Sequence, residues 1–307
     1  MNKLEANVSL FIITFFAAIQ YAFLSGVPES VSRLAFLCIT NLIGFLLVLA
    51  MFFSELFRLD KKLVRQSALL SAELFGFNFF VLLGSRNIDA TVTACVLSSY
   101  FVFVPSLAFI LFKQKPDRNS LVGIAIVLVG IFFMMNCNVR GLLKLNILFL
   151  VIADVFFALY ILTAGNFTAE SNPSILALGQ LYFNFIFSLV CWTVEMLWKH
   201  QTLTLPREPA FWGSVIFMSF FIRGLYSVVQ IYAQRYVSAL NTSLIFSTEI
   251  IMTMIATPFL TKLFDLQGEE GNLTPLRIAG AAIMVIGILA SDSSVTDALL
   301  KRRRATP

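Results

Sequence analysis

The chain is cut into ten apolar runs, each about as long as a bilayer is thick. They cover roughly residues 8–27, 31–53, 67–84, 89–112, 119–136, 145–165, 174–197, 211–232, 237–261 and 275–291. A helix needs about 20 apolar residues to cross the ~30 Å hydrocarbon core. Hydrocarbon offers no partner to a bare N–H or C=O, so such runs can only be helices or strands of a closed barrel. The alternating pattern of a membrane barrel is absent, which leaves helices. Breakers fall between the runs or at their starts: Gly26-Val27-Pro28, Lys115-Pro116-Asp117, Asn172-Pro173, Leu205-Pro206 and Thr274-Pro275. The expected fold is an all-α integral membrane protein of ten transmembrane helices. Val8 to Val27 is long enough to span and has no small-x-small cleavage pattern after it, so it is expected to remain as the first helix.

A second feature divides the ten runs into two sets of five. Arg86, Ala90, Thr93, Ser98, Leu111 and Lys113 recur as Arg235, Ala239, Thr242, Ser247, Leu260 and Lys262 at one constant offset of 149 residues. A glycine pair seven apart follows each copy, Gly123/Gly130 and Gly280/Gly287; Tyr21/Gly26 against Tyr160/Gly165 extends the match weakly. Such a period signals an internal duplication. Five helices is an odd number, so the second unit enters the membrane the opposite way round. The expected organisation is two inverted repeats, residues 1–140 and 141–291, with a basic tail over 292–307. Substrate sites of such proteins lie between the halves near mid-membrane.

Composition removes several function classes. With 59% apolar and 13% charged residues and a mean hydropathy of +0.87, no separate soluble domain is left over. The net charge of +5 comes largely from loops and the tail Lys301-Arg302-Arg303-Arg304, so it argues for membrane topology and not for nucleic acid. With the N-terminus cytoplasmic, Arg58, Lys61, Lys62, Arg65, Lys113, Lys115, Arg118 and the tail fall inside. Arg140, Lys144, Lys199, Arg207 and the acidic Asp265/Glu269/Glu270 loop then fall outside. Both termini are therefore expected in the cytoplasm, and Trp198 and Trp212 flank an external loop at the interface. Cys38, Cys95, Cys137 and Cys191 are scattered, and His200 is the single histidine, so neither a disulfide framework nor a zinc or histidine centre is expected.

The order of these features resembles the drug/metabolite transporter superfamily, in particular its EamA-type ten-helix members. The resemblance is carried by Ala90-Thr91-Val92-Thr93-Ala94 with Pro105, Leu121-Val122-Gly123 with Val129-Gly130-Ile131, and Ile152 to Tyr160. Val237-Ser238-Ala239 with Glu249, and Leu276 to Gly280 with Ile286-Gly287-Ile288, complete it. The sequence departs at Ile250, where the family usually has proline, and at Lys115-Pro116, where an acidic residue commonly opens the fifth helix. The resemblance implies export of amino acids, amines or drug-like compounds, without a cofactor.

Ionisable side chains in mid-membrane are expensive and mark partners or function. Four stand away from the ends of their runs: Glu73, Asp154, Arg223 and Glu249. The offset sets Glu73 opposite Ile222, beside Arg223. Two readings follow: an ion pair stapling the halves, or a site in which Arg223 holds a substrate carboxylate or phosphate and Glu73 loads a proton. Asp154 and Glu249 have no basic partner in sequence, which suits a proton relay, capture of a substrate ammonium, or a hydrogen-bonded neutral carboxyl.

Tyr100, which the repeat pairs with Glu249, together with Tyr226, Asn78 and Gln230, heads a set of polar residues able to line a cavity. Gln20, Asn41, Ser98, Ser99, Tyr160, Tyr182, Asn184 and Ser247 complete that set. Each is equally a candidate for an interhelical hydrogen bond. Pro105 and Pro258 lie inside the fourth and ninth helices and are candidate gates, because proline frees a carbonyl and kinks a helix. The glycine pairs read as close packing of the fifth and tenth helices, the same pair through which a homodimer could form.

No phosphate loop or Ser-His-Asp constellation is present. The expected function is a secondary carrier for a small polar metabolite, with the lipid bilayer and, for coupling, protons as its other partners. Three acids against one base favour a zwitterionic or cationic substrate. A membrane scaffold or receptor, or an integral-membrane enzyme, are the alternatives.

Overall fold

A computed structural model describes residues 1–25, 27, 28, 31–58, 60–85, 88, 90–113, 118–134, 145–200, 206–264 and 274–291. The expectations on Cys137, Arg140, Lys144, Lys115 to Asp117, the Asp265/Glu269/Glu270 loop and the basic tail lie outside them. The chain runs through α1 (Lys3–Ser25), α2 (Arg33–Met51), a 3-10 turn (Phe53–Arg58) and α3 (Lys61–Gly84). The fourth crossing is made of two pieces, α4 (Ala90–Leu97) and α5 (Tyr100–Phe112). Then come α6 (Arg118–Met134), α7 (Leu145–Glu170) and α8 (Pro173–Lys199). The eighth crossing joins α9 (Pro209–Phe217), a π-helical segment (Met218–Tyr226) and α10 (Ser227–Ala233). The ninth joins α11 (Ala239–Ser247) and α12 (Glu249–Phe264), and α13 (Pro275–Ser291) is the last. No strand occurs among the described residues, and eight of the crossings are long and apolar enough to span a membrane, with shorter apolar stretches at Leu121–Met134 and Pro275–Gly287.

Local chemistry sets the helix ends. Ser32, Asp60, Asn172 and Ser238 cap their helices by accepting from Ala35, Leu63, Ser174 and Asn241 backbone N–H groups, which satisfies donors a first turn leaves bare. Pro173 sits just inside the start of α8, where its missing N–H is not needed. α5 and α8 end on residues in the left-handed region, Lys113 (φ 56°) and His200 (φ 50°).

The packing pairs the two halves reciprocally. α3 lies on α7 and α8; the eighth crossing lies on α1 and α2. The fourth crossing packs on α7, the ninth on α1. α4 meets α12, and α11 meets α5. α2 faces α8 and α6 faces α13. The last contact consumes both glycine pairs. A Cβ on Gly130 would stand 2.8 Å from the Gly280 carbonyl oxygen, and one on Gly287 2.9 Å from that of Gly123. These glycine faces are closed within one chain, so a homodimer through α6 and α13 could use only their outward faces, where Leu121, Val129 and Ile286 are exposed.

Polar links between helix ends define two faces. On one, Lys62 pairs with Glu170 at 3.0 Å, Asn172 donates to Glu55 and Ser171 to Gln66. On the other, Ser32 donates to Glu195, Lys199 pairs with Glu195 at 2.6 Å, and Arg33 reaches the Leu82 carbonyl. Between them lies the apolar core, with Tyr160, Phe36, Phe101, Phe211 and Phe246 among its largest buried side chains.

Candidate functional site

The eighth crossing builds the site. From Met218 to Tyr226 its backbone is π-helical, a conformation that is rare and concentrated at functional positions. Arg223 and Tyr226 ride on this segment. Gly44 of α2 lets it approach: a Cβ there would come within 2.5 Å of Arg223 Cβ and 3.2 Å of the Ser219 carbonyl oxygen. Arg223 Nη1 donates to Asn78 Oδ1 of α3 at 2.8 Å, and its Nε has no partner among the described residues.

The ion pair that is one of the two readings of Glu73 and Arg223 is not formed here. Glu73 is buried, but it accepts from Thr163 Oγ1 of α7 at 2.9 Å, and its second carboxylate oxygen has no partner among the described residues. Helical geometry explains the difference. Glu73 and Asn78 are five residues apart, about 140° around the helix at ~100° per residue. Asn78 also lies ~7.5 Å further along the helix axis, and azimuth turns Glu73 to α7 and Asn78 to the π-helical segment.

The fourth and ninth crossings supply the next walls, and both are broken at the same repeat position. Ser99 N–H bonds to the Val96 carbonyl and Val102 N–H to that of Ser99, each a three-residue step. Thr248 N–H bonds to Ile245 and Ile251 N–H to Thr248, each again offset by 149. Ser98 Oγ and Ser247 Oγ donate 2.8 Å hydrogen bonds back to the Ala94 and Ser243 carbonyls. Such back-bonding competes with the helix ladder and bends helices.

The prolines expected to gate are not where the helices break. Pro105 lies within a continuous α5, and Pro258 within α12, its side chain outside the described residues. The break sets Tyr100 at the start of α5 and Glu249 at the start of α12.

These pieces surround a narrow, partly open cavity lined by Gln20, Asn78, Tyr100, Arg223, Tyr226 and Glu249 among others. It adjoins a second narrow space that shares Gln20, Phe77, Asn78 and Arg223 and ends on apolar Phe36, Leu82 and Met218. Aromatic rings form one wall: Tyr100 meets Phe157 edge-on at 5.0 Å, and Phe246 stacks on Tyr226 at 5.5 Å and on Phe157 at 6.1 Å.

Of the four mid-span charges, Arg223 and Glu249 line the cavity, whereas Glu73 and Asp154 do not. Three acids against one base thus overstates the negative character of the cavity. Gln230 is fully buried on α10, its amide without a partner among the described residues, and also lies off the cavity. Asn41 donates to Ser188 and Tyr160 to Gln180, so these bind helices together, and Tyr182 points outward. Gly44, Thr163 and Thr248 escaped sequence reasoning. A mid-helix glycine or threonine carries no distinctive local signal, although Thr248 is the repeat mate of Ser99.

Comparison with known proteins agrees with this architecture. The family model of the EamA-like transporter family matches residues 5–136. A protein of Archaeoglobus fulgidus named as an uncharacterized transporter is 22% identical over 220 residues, which cover 71% of this chain and 65% of that relative's own length. A crystal structure superposes with a TM-score of 0.64 over 98% of this chain and 99% of its own, at 15% identity, a likeness of fold alone. The chain is a multi-pass membrane protein, helical with no strand among the described residues, and its residues 5–136 match the model of the EamA-like transporter family.

Proposed function

We propose that the protein is a secondary carrier that exports a small zwitterionic metabolite across the cytoplasmic membrane by alternating access. Two inverted five-helix units, residues 1–140 and 141–291, rock about the cavity between them, and both termini face the cytoplasm. One observation carries the reading. A cavity walled by α1, α3 and α5 of one half and by the π-helical segment and α12 of the other holds one cation and one carboxyl in mid-span.

Arg223, already held by Asn78, offers its remaining donors to a substrate carboxylate. Glu249 receives the substrate ammonium, and the Tyr100, Phe157 and Tyr226 rings pack its apolar part. The reciprocal packing of the halves and the shared break at Ser99 and Thr248 support the repeat on which alternating access depends.

The test uses purified protein in liposomes with a trapped pH dye and a panel of amino acids, polyamines and quaternary amines. Zwitterion uptake is expected in the wild type and at least tenfold slower in both Arg223→Gln and Glu249→Gln. Polyamine uptake that survives Arg223→Gln would replace the zwitterion by a cation. Silence across the panel, with no ligand-induced rise in thermal stability, would remove the carrier reading.

A further inference from the structure

Asp154 stands outside the cavity yet touches the part of the fold most suited to move. It is fully buried on α7. Its Oδ2 accepts a 2.5 Å hydrogen bond from Ser99 Oγ, at the break between α4 and α5. Its Oδ1 has no hydrogen-bond partner and no cation pairs with it among the described residues. The link also crosses the halves, since Ser99 belongs to the first unit and Asp154 to the second.

The second break makes the comparison. Its backbone steps are the same, but Thr248 Oγ1 turns back to the Ile245 carbonyl of its own helix at 2.7 Å. One break is held by itself and the other by an ionisable group from the opposite half. A carboxylate near the start of a half-helix is favoured by the partial positive charge of that terminus, and a hydrogen bond from a hydroxyl to a charged oxygen is stronger than one to a neutral oxygen. Both gains vanish when the carboxylate takes up a proton, so protonation weakens the hold on Ser99.

The geometry points to Asp154 as a proton-binding site that latches the break of the fourth crossing through Ser99 and releases it on protonation. The proton adds to a carboxylate oxygen, and the neutral carboxyl no longer holds α5 by charge. Of the titratable groups on the elements packed against α7, Glu73 on α3 bonds Thr163 and Tyr100 on α5 meets Phe157. Lys61, Lys62 and Arg65 stand at the far end of α3, where Lys62 pairs with Glu170, while Cys95 on α4 turns to the Ile131 carbonyl and Tyr232 on α10 to Ser174. Glu249, at the start of α12, lies close enough for its charge to reach Asp154. This deepens the carrier reading by naming the coupling ion and the element it moves, and it rests on that reading for what the latch drives.

The test needs no substrate, so its failure and that of the carrier reading register separately. Difference infrared spectra of the protein in nanodiscs are recorded between high and low pH. A protonated-carboxyl C=O band is expected to grow as pH falls, to vanish in Asp154→Asn and to shift in Ser99→Ala, which keeps the carboxyl but removes its donor. In parallel, spin labels at Arg58 and Lys113, both exposed, report on the end of α5 in a background with the four cysteines replaced. Their separation is expected to change with pH in the wild type and to be independent of pH in both variants. A band that persists in Asp154→Asn overturns the proposal. So does one that Ser99→Ala leaves unmoved, or a wild-type label separation indifferent to pH. Where Asp154→Asn does not fold, Ser99→Ala decides alone by the same two readouts.

Discussion

At the scale of single residues, the partner of Arg223 decides what the cavity can bind. A guanidinium tied to a carboxylate would be neutralised, whereas one tied to the Asn78 amide keeps its full charge for a ligand. The two pairings separate in double-mutant cycles read as thermal stability in detergent. Asn78→Ala and Arg223→Gln should couple by about 1.5–3 kcal/mol, the range of a hydrogen bond to a charged group. Glu73→Gln and Arg223→Gln should add without coupling, and coupling in this second cycle would restore the staple. His200 offers an independent residue-scale test. Its φ of 50° strains a side chain that glycine would not carry, by about 1–2 kcal/mol. The greater freedom of glycine in the unfolded chain offsets about 0.4–1 kcal/mol of that. His200→Gly should therefore stabilise by roughly 0.5–1 kcal/mol in the same melting assay.

At the scale of elements, the π-helical segment and the two broken crossings were the features hardest to read. The runs themselves were plain, because nothing but a helix satisfies twenty apolar residues in hydrocarbon. Prolines, the usual breakers, do not mark the hinges: Pro105 and Pro258 are not repeat mates, while the breaks at Ser99 and Thr248 are. A serine or threonine bends a helix only when its hydroxyl turns back on a carbonyl, which composition does not announce. Likewise Gly44 reads as one more small residue in an apolar run, yet it seats the segment that carries Arg223. Its alanine variant would push against a Cβ and a backbone carbonyl, neither of which can swing away. Gly44→Ala is therefore expected to lower stability by about 1–3 kcal/mol. It should also weaken substrate binding more than Gly213→Ala, where a Cβ meets nothing within 4 Å. Equal effects of the two substitutions in a ligand-binding titration would show that the position of the π-helical segment does not matter to the site.

At the scale of the whole molecule, the two faces of the bundle are already distinguished by which loops touch. The Lys62–Glu170 pair and the Asn172–Glu55 bond put the turn after α2 and the turn between α7 and α8 on one side. The Ser32–Glu195 bond puts the start of α2 and the end of α8 on the other. Charge then orients the molecule. Arg58, Lys61, Lys62 and Arg65 crowd the first face near α3, joined by Arg235, against Arg33, Lys199 and Arg207 on the second. Basic residues in short loops are retained in the cytoplasm, so the Lys62 face is expected inside. Single cysteines placed at Lys62, Glu170 and Lys199, in a chain whose own four cysteines are replaced, test this in intact cells. A membrane-impermeant thiol reagent should label Lys199→Cys, and should reach Lys62→Cys and Glu170→Cys only after the membrane is opened. Labelling of all three from outside would mean that the two loops of the Lys62 face are external. The charge bias would then have been overridden by the second unit, where Arg235 is the main basic residue the inner loops carry. Reversing the molecule in the bilayer would change which solution each face meets and leave every contact inside unchanged, so the cavity would keep its lining in either orientation.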